Sequence, residues 1–403
     1  MKMEKRNLCR GSLSIVLIVV TVLFVSLFFD SDSANAQKIL KIAGVFELSG
    51  STSSMGYPES EGLKLAVAEI NEKGGVKIAG ETYKLELLLF DTRANPSEAV
   101  GIAEKLITRE GVKAIFSGAN SGTNTAMVTY TQPAKVLHLC VGCTAFIKVL
   151  GKPGNECLFK ASSYEGGEKG TAAHFLPFIV KKNNFKTAVI MVPATEAGRI
   201  YAEVDKKYLE DAGVKVLEVI LFNPTLKDFY PQLSKVKLAN PDMFGVGFTD
   251  DEVIPILRQA VEMGIQSKLV GLGAGMSEKA AYVMGENKPP AEGYTWIAYF
   301  PPLTDPKTID FCGRYQNFYN KKCQSDVGFA ILMYETLEHV LWAMQKVGST
   351  TDTTKIAKAI KGHRFDTGLV VKEYDESGLA STNYWIAEIK NGKIVWDYVP
   401  LKK

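Results

Sequence analysis

Residues 116–135 read FSGANSGTNTAMVTYTQPAK, a run in which small and hydroxyl residues separate an apolar segment from a helical one. Apolar character predicts a strand over Val112 to Phe116, and the spacing predicts a helix from Thr125. In open α/β sheets, ligands bind at the carboxyl ends of strands. The N-terminus of the following helix offers unpaired N–H groups and partial positive charge there. The stretch therefore predicts an anion-binding loop on an α/β fold.

Ser121 has two interpretations in this stretch, as a cap of the helix or as a donor to a bound anion. A second loop with a hydroxyl residue, CVGCT at 140–144, follows the next predicted strand. Together the two strand ends would present Ser121, the Gly142 backbone and Thr144 to one point. A third loop of small residues, 47–56, follows the first strand. Three similar strand ends favour the anion over the simple cap.

Strands and helices alternate along most of the chain, which predicts parallel sheets with right-handed crossovers. The length of 403 residues and two sets of βα units predict two doubly wound, Rossmann-like lobes. Asn391-Gly392 lies between the last two predicted strands and indicates a hairpin turn. The main predicted strands are 39–46, 84–90, 112–116, 136–140, 187–192, 214–221, 243–248 and 268–272.

Residues 1–36 differ from the rest of the chain. Basic residues precede an apolar run at 13–29, and Ala34-Asn35-Ala36 then matches a small-x-small cleavage pattern. This arrangement predicts a cleaved secretory signal peptide, and therefore an exported, periplasmic protein. The alternative is an uncleaved membrane anchor, because the apolar run is nearly long enough to span a bilayer.

Charge and cysteines limit the partners and the chemistry. The net charge of +3, without a run of basic residues, argues against nucleic acid as a partner. Of the six cysteines, Cys9 lies in the leader, so at least one of the remaining five has no partner within the chain. Cys312 and Cys323 are close in sequence, but the disulfide pairing stays open. For the C-x-x-C of Cys140 and Cys143, structural or free thiols are favoured over a redox or zinc site.

No residue pattern supports catalysis or a cofactor. The GLGAG at 271–275 lacks the G-x-G-x-x-G spacing, and the serine of 118–122 is one place late for a nucleophile elbow. Glu335 and His339 are four residues apart, which is more typical of a surface pair than of half a zinc site. The chain also has no P-loop. We therefore expect a protein that is not an enzyme, with no catalytic residue, no metal and no cofactor.

Several longer motifs carry a family resemblance. They are LSGSTSSMG (48–56), FDTRANPSEAVGIAEKLI (90–107), GANSGTNTA (118–126), DEVIPILRQAVEMGIQSKLVG (251–271) and FAILMYETLEHVLWAM (329–344). Together they resemble the leucine/isoleucine/valine-binding family of solute-binding proteins, the exported receptors of ABC importers. The resemblance covers residues 38–398. It implies the type I periplasmic-binding-protein fold, in which two lobes joined by three crossings close over a ligand.

The resemblance also implies lobe bounds and binding residues. The N-terminal lobe is expected to comprise 38–160 plus 297–380, and the C-terminal lobe 161–296 plus 381–403, with a three-stranded hinge between them. The positions that hold the ligand's α-carboxylate in this family match Ser121, Gly142 and Thr144, which agrees with the anion loop. Two further positions are a backbone contact, Ala119, and an aromatic residue of the side-chain pocket, Phe329.

Other positions depart from the family pattern. Gly273 stands where amino-acid-binding members keep an acidic residue for the ligand ammonium. Burying an ammonium without a partner costs several kcal/mol. Either Glu165, Asp250 or Asp251 takes that role, or the ligand has no amino group; a solvated loop charge is the alternative for each acid.

Aromatic positions of the pocket also differ. Met55 replaces an aromatic residue in the first loop, Ala197 replaces another in the second lobe, and a third falls at Phe248 or Thr249. Met55, Thr249 and Glu165 complete the expected ligand-binding set.

The expected function is that of an exported, monomeric substrate-binding protein of an ABC importer. It would carry a small carboxylate-bearing solute, of the branched-chain or hydrophobic amino acid type, to a membrane permease. One alternative is the same module binding an aromatic or aliphatic organic acid without an amino group. A second is a periplasmic sensor. An enzyme is disfavoured because no nucleophile and base are found together.

Overall fold

The computed structural model describes residues 37–168, 170–247, 249–273, 292–298, 301–323, 327–366 and 369–401. The predicted leader at 1–36, Phe248 and the side chains of Asp250 and Asp251 lie outside the described part. Within that part, none of the helices combines the length and apolar character needed to cross a membrane.

The described strands form three sheets. Their bounds are β1 Lys38–Phe46, β2 Val76–Ile78, β3 Glu81–Asp91, β4 Ala114–Ser117, β5 Leu137–Cys140, β6 Leu158–Lys160, β7 Thr187–Pro193, β8 Lys215–Phe222, β9 Met243–Val246, β10 Lys268–Gly271, β11 Thr295–Ala298, β12 Arg364–Asp366, β13 Val371–Tyr374, β14 Ala380–Thr382, β15 Tyr384–Lys390 and β16 Lys393–Val399.

The described helices pack on these sheets. Their bounds are α1 Ser53–Glu72, α2 Pro96–Thr108, α3 Ser121–Thr131, α4 Thr171–Asn183, α5 Glu196–Asp211, α6 Tyr230–Ala239, α7 Asp250–Glu262, α8 Pro306–Tyr319, α9 Val327–Val347 and α10 Thr353–Ile360, with a 3-10 turn at Thr144–Lys148.

The first sheet has the strand order β2-β3-β1-β4-β5-β6. All neighbours run parallel except the short β2, which pairs antiparallel with β3. β1 lies between β3 and β4, and its sequence KILKIAGVF is almost continuously apolar from the second residue. Such a run is typical of a parallel strand covered on both faces. The carboxyl ends of β1, β4 and β5 are therefore neighbours at one edge of the sheet.

The second sheet has the order β16-β15-β11-β10-β9-β7-β8. Its five strands from β7 to β11 run parallel, and β15 joins β11 antiparallel. The predicted hairpin between β15 and β16 is confirmed. Asn391 and Gly392 both have positive φ angles, of 51° and 69°, as a two-residue hairpin turn requires.

The chain crosses between the two main sheets three times, after β6, after β11 and after β14. The small antiparallel sheet of β12 to β14 adjoins the first sheet through a bridge between Lys160 and Leu379. Ile297 and Ala298, expected in the N-terminal lobe, are strand residues of the second sheet. The remaining lobe bounds stay a prediction.

The first lobe is completed by helices from late in the sequence. α9 packs along α1. Helix α8 was not predicted from the sequence. A disulfide joins Cys312 of α8 to Cys323, which settles the pairing that the sequence left open. The other three described cysteines, Cys140, Cys143 and Cys157, are buried and not joined in disulfides.

The contact between α1 and α9 depends on Gly62. A Cβ atom added there would overlap the carbonyl oxygen of Ala330, so the two helix backbones are in direct contact. Gly101 on α2 is the opposite case, because an added Cβ would meet no described atom within 4 Å.

We predict that Gly62→Ala lowers the free energy of unfolding by about 1–3 kcal/mol, because one methyl group must separate two packed helices. The matched change Gly101→Ala should raise it by roughly 0.5–1 kcal/mol, since alanine favours the helix and meets nothing. Urea unfolding midpoints of both variants test this. Equal midpoints would contradict the tight helix contact.

Candidate functional site

The loops after β1, β4 and β5 converge at the carboxyl edge of the first sheet. Met55, Ala119 and Phe329 form one buried apolar cluster there. A Cβ added at Gly142 would lie 2.5 Å from the Cβ of Ala119 and 3.2 Å from the Cε of Met55. Only glycine fits at this position without displacing both loops. Three of the expected binding residues thus form one cluster, and Gly142 packs closely against two of them, Ala119 and Met55.

Ser121 belongs to the same edge but does not cap its helix. Helix α3 begins at Ser121, four residues before the predicted start, and Asn120 is the cap, accepting from the Thr123 N–H at 3.1 Å. The Oγ of Ser121 is buried and accepts from the Ala145 N–H at 3.2 Å. The capping alternative for Ser121 is therefore wrong. Its hydroxyl connects the loop after β4 to the loop after β5 and retains a proton to donate.

Thr144 opens the 3-10 turn directly before Ala145. The residue is buried, and its Oγ1 has no hydrogen-bond partner among the described residues. Leaving a buried hydroxyl without a partner costs about 1–3 kcal/mol. In native proteins such groups are rare, and they are found where a ligand or water completes them. Thr144 is therefore the strongest single indication of a ligand position in the described structure.

Two buried carboxyl groups lie behind the three loops. Glu47 follows β1 and accepts from the hydroxyls of Thr123 at 2.8 Å and Thr92 at 3.2 Å, and from the Asn120 N–H at 3.3 Å. It thereby ties the ends of β1, β3 and β4 together. Burial raises the pKa of Glu47, and its hydrogen bonds oppose that rise.

Glu59 of α1 lies close to Glu47 across Gly118. Neither of its carboxyl oxygens has a hydrogen-bond partner in the described part of the chain. Burial raises the pKa of Glu59 well above its usual range, and the charge of Glu47 adds to the rise. Sequence reasoning missed both acids. For Glu47, the available signal was an acidic residue immediately after an almost continuously apolar strand.

Glu165 lies at a different place, against the second lobe. It is buried, and the hydroxyl of Tyr201 donates to its Oε1. Tyr201 of α5 packs beside Ala197 and over Gly273. A Cβ on Gly273 would lie 2.8 Å from the Tyr201 ring, and the φ of Gly273 is +87°. The Tyr201 ring therefore occupies the space that a side chain at position 273 would need.

Thr249 is buried and caps helix α7. Its N–H donates to the Oε2 of Glu252 at 2.9 Å, and its hydroxyl donates to the same carboxylate. These described contacts give Thr249 a helix-capping role. Its membership of the ligand site stays a prediction.

The two lobes meet beside the converging loops. Lys148, at the end of the 3-10 turn, pairs with Glu196, the first residue of α5, at 2.9 Å. Both side chains are roughly half exposed, so the pair contributes little energy on its own. It does place the start of α5 opposite the Ser121 and Thr144 loops.

A sequence model described as periplasmic binding protein matches residues 39–393. The chain belongs to the periplasmic binding protein family. This confirms the family resemblance and the two-lobed α/β fold.

Curated relatives of this periplasmic binding protein are amino-acid-binding proteins by name. The leucine-, isoleucine-, valine-, threonine-, and alanine-binding protein of Pseudomonas aeruginosa is 26% identical over 347 residues, which cover 85% of this chain and 87% of that protein. The Leu/Ile/Val-binding protein of Escherichia coli K12 is 25% identical, with coverage of 86% and 89%.

Solved structures share the fold. A leucine-binding protein from Thermotoga maritima is 23% identical, with a TM-score of 0.74 over 90% of this chain and 99% of that chain. A solute-binding protein from R. palustris in complex with benzoate is 18% identical, with a TM-score of 0.75 over 90% and 96%. The fold therefore occurs both in a protein named for leucine binding and in one solved with benzoate.

We predict that Glu59→Gln changes how stability depends on pH. The folded state holds the Glu59 proton above the ordinary pKa of 4.5, so the free energy of unfolding falls as pH rises through that window. Glutamine carries no such proton, so the decline should lessen by up to about 1.4 kcal/mol per pH unit.

Unfolding midpoints between pH 4.5 and 8 test the Glu59 effect. Glu72→Gln, an exposed change on the same helix, serves as the control. Parallel pH curves for wild type and Glu59→Gln would contradict the buried, unpaired state of Glu59.

Proposed function

We propose that this periplasmic binding protein binds a small carboxylate-bearing solute between its lobes and delivers it to the permease of an ABC importer. The carboxylate is held by the Ser121 hydroxyl, the Gly142 backbone and the Thr144 hydroxyl. The observation that carries the proposal is the buried Oγ1 of Thr144, which has no partner among the described residues, next to Ala145, whose N–H donates to Ser121.

Donors without a cationic side chain suffice for such a site. The N-terminus of α3 contributes partial positive charge, and hydrogen bonds to a charged acceptor are stronger than neutral ones. The buried acids behind the loops support this, because the raised pKa of Glu59 favours its neutral form. If Glu59 is neutral, Glu47 is the only one of these two acids whose charge repels the ligand carboxylate.

The apolar cluster of Met55, Ala119 and Phe329 supplies the surface for the ligand's body. Methionine is unbranched and polarisable, so it adapts to ligands of different shape. A branched aliphatic chain or a ring would bury apolar area against this cluster at about 25 cal/mol per Å².

Delivery requires that the ligand change the protein's shape. A solute that contacts both lobes binds the closed form better than the open form and shifts the equilibrium toward closure. The adjacency of Lys148 and Glu196 supports a closed arrangement in which both lobes face one ligand. On this proposal residues 1–36 direct export, the protein works as a monomer in the periplasm, and it catalyses no reaction.

We predict that Ser121→Ala weakens ligand binding by roughly 1–3 kcal/mol, because one charge-assisted hydrogen bond is lost. Thr129→Ala, an exposed change on the same helix, is the control and should bind as wild type. Calorimetric titration of residues 37–403 with the strongest ligand of an acid panel provides the measurement. Unchanged affinity in Ser121→Ala would refute the carboxylate assignment.

We predict that Thr144→Val weakens ligand binding without lowering the stability of the ligand-free protein. Valine keeps the shape and removes a hydroxyl that has no partner in the described part of the chain, so the melting temperature without ligand should stay equal or rise. The rise in melting temperature on adding ligand should shrink, because affinity falls. A lower melting temperature without ligand, together with an unchanged ligand shift, would show that Thr144 is purely structural.

A further inference from the structure

A lysine is buried at the point where the chain first leaves the first lobe. Lys160 ends β6, directly before the first crossing, and is 2% exposed. Among the described residues, no acidic side chain forms an ion pair with it. Its Nζ instead donates to the Oγ of Ser162 at 2.9 Å, to the carbonyl oxygen of Ser162 at 3.3 Å and to that of Ser163 at 2.6 Å. The ammonium therefore has an acceptor for each of its three N–H groups.

This ammonium is connected to the loop after β5. The hydroxyl of Ser162, which accepts from Lys160, donates to the carbonyl oxygen of Val141. Val141 directly precedes Gly142, whose backbone belongs to the proposed carboxylate site. Burial raises the pKa of the Cys140 thiol, and the positive charge of Lys160 opposes that rise, so the ammonium lies near the end of β5.

The same residues connect the first crossing to the third. The Oγ of Ser163 accepts from the Thr382 N–H at 2.7 Å and lies 2.9 Å from the Thr382 hydroxyl. The backbone N–H of Lys160 donates to the carbonyl oxygen of Gly378 at 3.0 Å, shortly before β14. The side chains of Lys160, Ser162, Ser163 and Thr382 are all buried. One buried hydrogen-bond network therefore holds both crossings and the loop after β5 together.

Stability alone does not account for a lysine at this position. An ammonium is costly to bury without a carboxylate partner, because neutral acceptors replace only part of its hydration. Methionine would fill a similar volume without that cost. The lysine adds geometry, since three charge-assisted hydrogen bonds from one buried atom fix the carbonyl groups of two successive residues. The backbone of the first crossing is thereby held in one conformation.

We propose that Lys160 is a positioning residue of the carboxylate site. Its ammonium orients Ser162, and Ser162 fixes Val141, so that Gly142 and Thr144 present their donors to the ligand carboxylate. Lys160 acts through Ser162 and not by contact with the solute. This inference rests on the function proposed above. Because the lobes close by bending at the crossings, the same contacts connect the ligand loop to the arrangement of the lobes.

The experiment measures affinity and the folded fraction separately. Residues 37–403 are titrated calorimetrically with a paired panel of acids with and without an amino group, which are leucine and 4-methylpentanoate, phenylalanine and 3-phenylpropanoate, and 4-aminobutyrate and butyrate. The tightest ligand of this panel is then used for every variant. The stoichiometry reports the fraction of molecules able to bind, whereas the Kd reports the site in those molecules. A purely structural residue changes the stoichiometry and the melting temperature but not the Kd.

We expect Lys160→Met and Ser162→Ala each to raise the Kd about 3- to 30-fold at unchanged stoichiometry, because donors of the site are misplaced. Ser162→Thr keeps the hydroxyl and should recover most of the affinity. The double variant Lys160→Met/Ser162→Ala should lose less affinity than the product of the single effects, because both act through the same contact with Val141. Lys152→Met, an exposed change in the same lobe, is the control and should bind as wild type.

The outcomes separate the two proposals. If Ser121→Ala weakens binding while Lys160→Met and Ser162→Ala keep the wild-type Kd, the carboxylate site stands and the positioning role is refuted, whatever happens to the melting temperature. If the effects of Lys160→Met and Ser162→Ala multiply in the double variant, Lys160 does not act through Ser162 and the inference is also refuted. If no acid of the panel binds, the carboxylate site and the positioning role fail together.

Discussion

The geometry of the first lobe's site depends on the hydrogen bonds that the carboxyl group of Glu47 accepts. It receives hydrogen bonds from residues that follow β3 and β4, while it follows β1 itself. Three strand ends are therefore held at fixed separations by one buried side chain. Because Asn120 and Thr123 are among its donors, the N-terminus of α3 is fixed as well, and Ser121 is brought against Ala145.

This arrangement has an electrostatic consequence. A buried acid directly behind an anion site would repel the anion unless its charge is compensated or removed. Glu47 is compensated by its donors, whereas Glu59 has no described donor and has a strongly raised pKa. The positive end of α3 and the neutral donors can then act on the ligand alone. The carboxylate site thus needs no lysine or arginine, and the sequence offers none in the three loops.

Much of this molecule could be read from its sequence, because strand and helix periodicity and small-residue loops are local signals. The parallel strands, the Asn391-Gly392 hairpin and the position of Ser121 and Gly142 after neighbouring strands are of this kind. The cap at Asn120 was not predicted, because residues suited to capping are adjacent in this stretch and only the backbone geometry selects one. The capping role of Thr249 depends in the same way on the detailed geometry of a helix start.

Contacts between distant residues were the hardest to predict. Tyr201 covers Gly273 from a helix some 70 residues earlier in the chain, and no local pattern indicates which aromatic fills a missing side chain's place. The burial of Asp205 was equally hard to predict, because its sequence context on α5 is that of an ordinary polar helix residue. Only the fold reveals that it is buried next to Glu165.

The central claim is that a ligand carboxylate binds at the converging strand ends of the first lobe. A crystal structure of residues 37–403, grown with the tightest ligand of the paired panel, tests it most directly. The account predicts a carboxylate oxygen within hydrogen-bond distance of the Ser121 and Thr144 hydroxyls and close to the Gly142 backbone. A ligand whose carboxylate lies elsewhere in the cleft, with the Thr144 hydroxyl still unpartnered, would contradict it.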